Sequence, residues 1–307
     1  MTTSTHRNQN RKKTSPVVKI GLALLLVVIA VGAILSIYRL VTGKSLGLRG
    51  YVAYRVYLVK NLAKAIQGSS AITSTSGNFQ NIVFLHHSTG ANLIRQGNMR
   101  ELFREAGYNF WDHGYNEQGL RTPEGASTGY NYNIPGDNTN PGGFYRIFNQ
   151  TEYPFPLNAY SGLLQHEVII FKSCFRPTNH IRSDEQLEQY KTWYLGIRDE
   201  MDRHPEKIFI IITAPPLNPA ETNPEEAARA RIFADWLKSD EYLDGHANVF
   251  TFDFFNVLAE SDPDAEDHNM LQAAYRDGND SHPNQLANET IAPILVDFII
   301  EAIESYR

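Results

Sequence analysis

Two short segments at opposite ends of a 307-residue chain hold the residue types needed for nucleophilic catalysis. In FLHHSTGANL, Ser88 follows a short apolar run and Gly90 permits a tight turn into a helix. A serine so placed can attack an acyl carbonyl while amide N–H groups at the helix start hold the oxyanion. The plainer alternative is a helix-capping hydroxyl. In DGNDSHPN, residues 277–284, Pro283 holds His282 on a turn with Asp280 and Asp277 close by. A carboxylate within reach of an imidazole fixes its tautomer and stabilises the imidazolium formed when serine gives up its proton. Alone, an Asp-x-His-Pro turn is a surface turn; with Ser88 it pairs a base with a nucleophile.

Strand and helix signals alternate around these segments. Asn81–His87, Tyr108–His113, His166–Cys174, Ile208–Ala214 and Asn248–Phe255 read as strands. Asn92–Ala106, a Ser183-capped run to about His204, Glu225–Leu237 and Gln285–Tyr306 read as helices, with Gln186 completing a capping box after Ser183. This order predicts a mostly parallel five-stranded sheet covered on both faces. Ligands of such sheets bind beyond the carboxyl ends of the strands, where strand order reverses, and Ser88 follows the first strand.

On these residues, the chain over about 79–307 resembles the SGNH (GDSL-type) hydrolase superfamily. The resemblance implies a three-layer α/β/α, flavodoxin-like fold, with Ser88 as nucleophile and His282 as base. It also implies an oxyanion hole made by the backbone N–H of Ser88, a glycine after the second strand and an asparagine after the third. Gly119 in HGYNEQGL is the expected glycine, with Gly114 second. The family's Gly-x-Asn-Asp block is replaced by KSCFRPTNHI, where Asn179 is the available amide. Two further departures stand out: His86-His87-Ser88 replaces Gly-Asp-Ser, and Asn279 occupies the acid's usual place three residues before the histidine. Asp280 is therefore the expected acid, with Asp277 behind it and a Ser-His dyad if neither reaches. His87, Asn116, Lys172, Ser173 and Arg176 are the expected substrate contacts.

Other chemistry has less support. His86, His87 and His113 lack a His-x-x-His or Glu-x-x-His helical pair, so no metal and no cofactor are expected. Cys174, the single cysteine, excludes intramolecular disulfides and reads as a small apolar residue at a strand end rather than a nucleophile. Gly43–Gly47 and Gly125–Gly129 match G-x-S-x-G but do not lie between a strand and a helix. The sequons at Asn149, Asn279 and Asn288 carry meaning only in a eukaryotic secretory setting. The long polar stretch Gly114–Asn158 holds Tyr115, Tyr130, Tyr132, Phe144, Tyr145, Tyr153 and Phe155, which fit either a pocket wall with sugar-stacking faces or packing onto the domain.

Charge divides the chain. Residues 1–100 contain 13 Lys and Arg and no acid, leaving 15 basic and 34 acidic residues to the other 207. Ile20–Tyr38 is 19 uncharged, mostly apolar residues, close to the thickness of a bilayer as a helix. The expected organisation is a basic tail (1–16), a transmembrane helix (17–41), a basic juxtamembrane segment and linker (42–78), and a hydrolase domain (79–307). Tyr51, Tyr54, Leu58, Leu62 and Ala65 recur at helical spacing, as on a headgroup-bound helix or a plain connector. Both flanks of the apolar run are basic, so sidedness does not follow from charge; family analogy favours an extracytoplasmic domain. The acidic domain argues against nucleic acid. The expected function is a single-pass membrane-anchored serine esterase that removes an O-acetyl or short acyl group from a carbohydrate. The alternatives are a lipid or lysophospholipid esterase, an acyltransferase, or a non-catalytic glycan-binding domain.

Overall fold

The computed structural model describes residues 25–33, 63, 72, 77–136 and 139–307. Three of its strands are wholly apolar and buried along their length: β4 (Val168–Phe171), β5 (Ile208–Ile212) and, but for Asn81, β1 (Asn81–Leu85). Such runs suit only a sheet covered on both faces. With β2 (Asn109–His113), β3 (Leu120–Arg121) and β6 (Val249–Phe252) they form one sheet in the order β3-β2-β1-β4-β5-β6. All neighbours are parallel except β3, which pairs antiparallel to β2 through Asp112–Arg121 and His113–Leu120. The expected five strands thus become six, because a two-residue edge strand carries no periodic signal of its own.

Alternate side chains of each strand serve two cores. Val83, Leu85, Ile169, Phe171, Phe209 and Ile211 pack with α3 (Pro141–Phe148), α6 (Asp184–Met201) and α7 (Pro224–Leu237). Ile82, Phe84, Val168, Ile170, Ile208 and Ile210 pack with α1 (Ser88–Gln96), α2 (Met99–Glu105) and α9 (Gln285–Tyr306). The single helix expected over Asn92–Ala106 is two: it breaks at Gly97, and Asn98 takes a left-handed φ of 55° as it caps α2. Short helices α4 (Ala159–Leu163), α5 (Phe175–Asn179) and α8 (Asp240–Leu243) and two 3₁₀ turns, Pro219–Glu221 and Ala273–Tyr275, complete the connections.

The stretch Gly114–Asn158 contributes to the core. Tyr130, Tyr132 and Phe144 are buried, and the Tyr132 ring stacks on His113 at 5.0 Å while its hydroxyl bonds His166 Nε2 at 2.8 Å. Only Tyr153 and Phe155 of the seven aromatics are exposed large hydrophobics. At the other boundary, Glu167 accepts from the backbone N–H groups of Gly77, Gln80 and Asn81, tying the chain to the domain from Gly77 onward.

Most of the N-terminal expectations lie outside the described residues: the tail, the flanks of Ile20–Tyr38, the Gly43–Gly47 match and the basic helical pattern from Tyr51. Residues 25–33 are helical, with Leu25, Leu26, Val27, Val28, Ile29 and Val31 exposed. Among the described residues no helix is long and apolar enough to cross a membrane. Ile72, inside the stretch read as linker, is buried.

Candidate active site

Ser88 is the first residue of α1, where the chain turns directly out of β1. The capping position belongs to His87, which makes no side-chain cap bond, so the Ser88 hydroxyl is not the helix cap. Its backbone N–H, at the first helical position, has no intrahelical acceptor. Gly90 is required by close approach: a Cβ there would stand 2.4 Å from His86 Cβ. This places Ser88 at the carboxyl ends of β1 and β4, where strand order reverses.

His282 arrives from the loop before α9. Its Nε2 lies 2.8 Å from Ser88 Oγ, and its Nδ1 lies 2.8 Å from Asp280 Oδ1. Asp280 also accepts from the His282 backbone N–H at 3.2 Å. Asp277 turns away, toward the Asn284 amide. Burial is the largest influence on the Asp280 carboxyl and raises its pKa, but the bonds from the His282 ring and amide and the charges of His282 and Arg176 outweigh it. The net effect holds the carboxyl below its ordinary range. The Phe175 ring stands edge-on to His282 at 5.0 Å and limits its rotation.

A second loop clamps the first. Asn218, after β5, donates its amide to the carbonyls of Gly278 and Asp280 at 3.0 and 3.1 Å. The Ser281 hydroxyl accepts from Asn218 N–H and donates to Glu221 at 2.6 Å. Arg176 bridges Glu221 at 2.9 Å and Asp280 at 3.3 Å. Sequence reasoning missed Asn218, Glu221 and Ser281; the Asn218-Pro219 turn signal was the only local trace of them.

Several expected contacts are not brought to Ser88. The Gly119 N–H is spent on Tyr115 O at 3.0 Å, closing a turn in which Gly119 takes φ 63°. The Asn179 amide is spent on the carbonyls of Ala214 and Pro215, at 3.4 and 2.6 Å. Neither is directed to an oxyanion. Gly114 follows β2 directly, and a Cβ on it would meet Gln118 Oε1 at 2.4 Å and His86 Cε1 at 3.5 Å, nearer Ser88's strand than Gly119. Asn116 braces the next loop by paired bonds with Ile134, and Ser173 shares a hydrogen bond with Tyr194 Oη at 2.8 Å. Arg176 pairs through Nη2 with Glu221 and Asp280. Lys172 is 1% exposed and donates to Ser173 O at 2.9 Å; burial pushes its pKa down to about 8. His87 Nε2 accepts from Thr139 N–H, and its ring lies 5.3 Å from that of Tyr115.

Two residues before Ser88 is a second, buried histidine. His86 Nε2 lies 2.9 Å from Asp112 Oδ2, His86 Nδ1 bonds its neighbour's carbonyl at 2.9 Å, and Arg100 donates to the other Asp112 oxygen. These residues and Ser88 line an open cleft of about 620 Å³, together with Arg95, Tyr115, Gln118 and Arg121. Among the described residues no group of three His, Cys, Asp or Glu side chains gathers as metal ligands would. Cys174 is buried, its N–H bonded to Thr139 O.

No family model matches the chain, and no curated protein sequence does. Its structure is similar to that of a Bacteroides fragilis protein described as a candidate acylhydrolase, with TM-score 0.50 and 12% identity over 79% of this chain and 97% of the other. What the two share is the fold. A Streptococcus pneumonia protein described as a candidate platelet activating factor aligns with TM-score 0.46 and 13% identity over 82% of this chain and 99% of its own. A GDSL-like lipase from Bacteroides thetaiotaomicron aligns with TM-score 0.44 and 8% identity over 79% and 98%.

Proposed function

We propose that the chain is a serine ester hydrolase that removes an O-acetyl or short acyl group from a carbohydrate. One observation carries the reading: Ser88 Oγ, His282 and Asp280, drawn from positions 194 residues apart, form a continuous hydrogen-bonded line with both heavy-atom distances at 2.8 Å. In this reaction His282 Nε2 takes the Ser88 proton as Oγ attacks the ester carbonyl, and Asp280 steadies the imidazolium through Nδ1. The Ser88 N–H and the start of α1 stabilise the oxyanion. The alcohol leaves with the proton from His282, and water reverses the steps to free the acid and Ser88. Anchoring by residues 17–41, with the domain from residue 79 outside the cytoplasm, completes the reading and is supported by the 19-residue uncharged run.

A fluorophosphonate probe tests the nucleophile. The expected result is labelling of the protein at Ser88 and none in Ser88→Ala of unchanged circular dichroism. Equal labelling of both, or of neither, overturns it. Because Gly119 and Asn179 are committed elsewhere, a non-catalytic glycan-binding domain is the second reading. Glycan binding retained without labelling would favour it.

A further inference from the structure

We infer that the substrate of this site carries an anionic group, a carboxylate or a phosphate, held by Arg121 and Arg95 in the cleft beside Ser88. The inference rests on the esterase reading for the reaction and on the cleft's own charge balance for the ligand. Three arginines, Arg95, Arg100 and Arg121, line the cleft with a single acidic residue, Asp112. That carboxylate is already used, one oxygen bonding Arg100 and the other His86. Arg100 is likewise engaged, its Nη1 reaching the carbonyls of Phe110, Thr122 and Pro123. Among the described residues, no ion pair involves Arg95 or Arg121. Arg95 makes one bond, to Asn92 Oδ1 at 3.3 Å.

Two arginines without an ion pair in one cleft run against the domain's composition. Residues 79–307 carry 17 Lys and Arg against 34 Asp and Glu, so the molecule's general field repels anions. The positive cleft is therefore a local feature. Arg121 is held there by β3, the short antiparallel strand that turns back on β2 and pairs Arg121 with Asp112 in register. Arg95 comes from the same helix that begins with Ser88, two turns on, so the anion site and the nucleophile share a rigid frame. Guanidinium groups grip carboxylate and phosphate oxygens in pairs, which fixes orientation as well as charge.

Acetate release from mono-O-acetylated glucose, glucuronate and glucose phosphate tests this, since the three share a ring and differ in charge. The expected result is a kcat/KM about 10-fold or more higher for an anionic substrate than for glucose, falling as salt is added. The arm that gains more separates carboxylate from phosphate. Arg121→Gln and Arg95→Gln should each cut the anionic-to-neutral ratio by about 3–10-fold, with Arg121→Lys between them and the wild type. Equal rates on all three, lost in Ser88→Ala, would overturn the inference and leave the esterase standing. If none is hydrolysed and Ser88 is not labelled, the esterase reading fails, and calorimetry with glucuronate and glucose phosphate decides the cleft. Salt-sensitive binding that Arg121→Gln abolishes supports it; no binding overturns it.

Discussion

Two histidines near Ser88, His282 and His86, resemble one another more than their burial suggests. His282 bonds Asp280 at 2.8 Å and Arg176 holds the same carboxylate; His86 bonds Asp112 at 2.9 Å and Arg100 holds that carboxylate. The first set is partly exposed, with Asp280 54% open on its side chain, while Asp112 is 5% open. Burial and a charged partner would favour the inner pair as the working one. The ring nitrogens decide otherwise. His282 turns its remaining nitrogen to Ser88 Oγ, whereas His86 has given its own to the carbonyl of His87. Both His86 nitrogens face acceptors within the fold, the His87 carbonyl and Asp112, and neither faces Ser88 Oγ, so the inner set holds β1 to β2 and the outer set is available for chemistry.

The comparison breaks most sharply at His282. His282→Gln should lower ester hydrolysis by about 10³-fold or more at unchanged circular dichroism, as loss of a general base does. Asp112→Asn should act on folding instead, costing about 3 kcal/mol in urea unfolding because it strands the Arg100 charge, while kcat per folded molecule stays within a few-fold. A reversal of these two results would exchange the roles of the histidines. Asp280→Asn should lower kcat by about 10–100-fold with little change in stability at neutral pH, since the residue is mostly solvated.

The smallest effect is the acid dependence of that last variant. Asp280 ionises below its ordinary range in the fold, so its contribution to stability is present above the unfolded pKa, about 4, and is lost as pH falls through the folded value. The stability gap between wild type and Asp280→Asn should therefore be constant from about pH 5 to 8 and shrink below about pH 4, as read by thermal unfolding. A gap that widened in acid would contradict the depressed carboxyl.

Legibility varied by residue for physical reasons. Helix α9 lies over Gln285–Tyr306 as read from its apolar spacing, and the five parallel strands fall inside the runs assigned to them, because both signals are local and strong. The capping box at Ser183 is half right: Ser183 accepts from Gln186 N–H, but Gln186 reaches back to Arg182 N–H instead. Gly119 and Asn179 are expected from the resemblance alone, as a glycine after the second strand and an asparagine after the third. Distance along the chain does not say where a loop's N–H or amide points, and both point to nearer carbonyls. Asn288, one of the three sequons, is fully buried with its amide bonded to Gln96, Pro283 and Asn284, which a tripeptide pattern cannot reveal.

What the sequence by itself determined is the alternation of apolar strands and helices, and with it the sheet, the position of Ser88 after the first strand and of His282 before the last helix. These follow from side-chain periodicity and turn chemistry, which act over a few residues. Only the tertiary structure decided which carboxylate meets His282, that Asn218 and Glu221 lock its loop, that Arg176 pairs with Glu221 and Asp280, and that Arg95 and Arg121 share a cleft with Ser88. Apart from Asp280–His282 and Ser88–Arg95, those pairings join residues tens of positions apart, and hydrogen bonds and ion pairs act over a few ångströms of space whatever the separation along the chain.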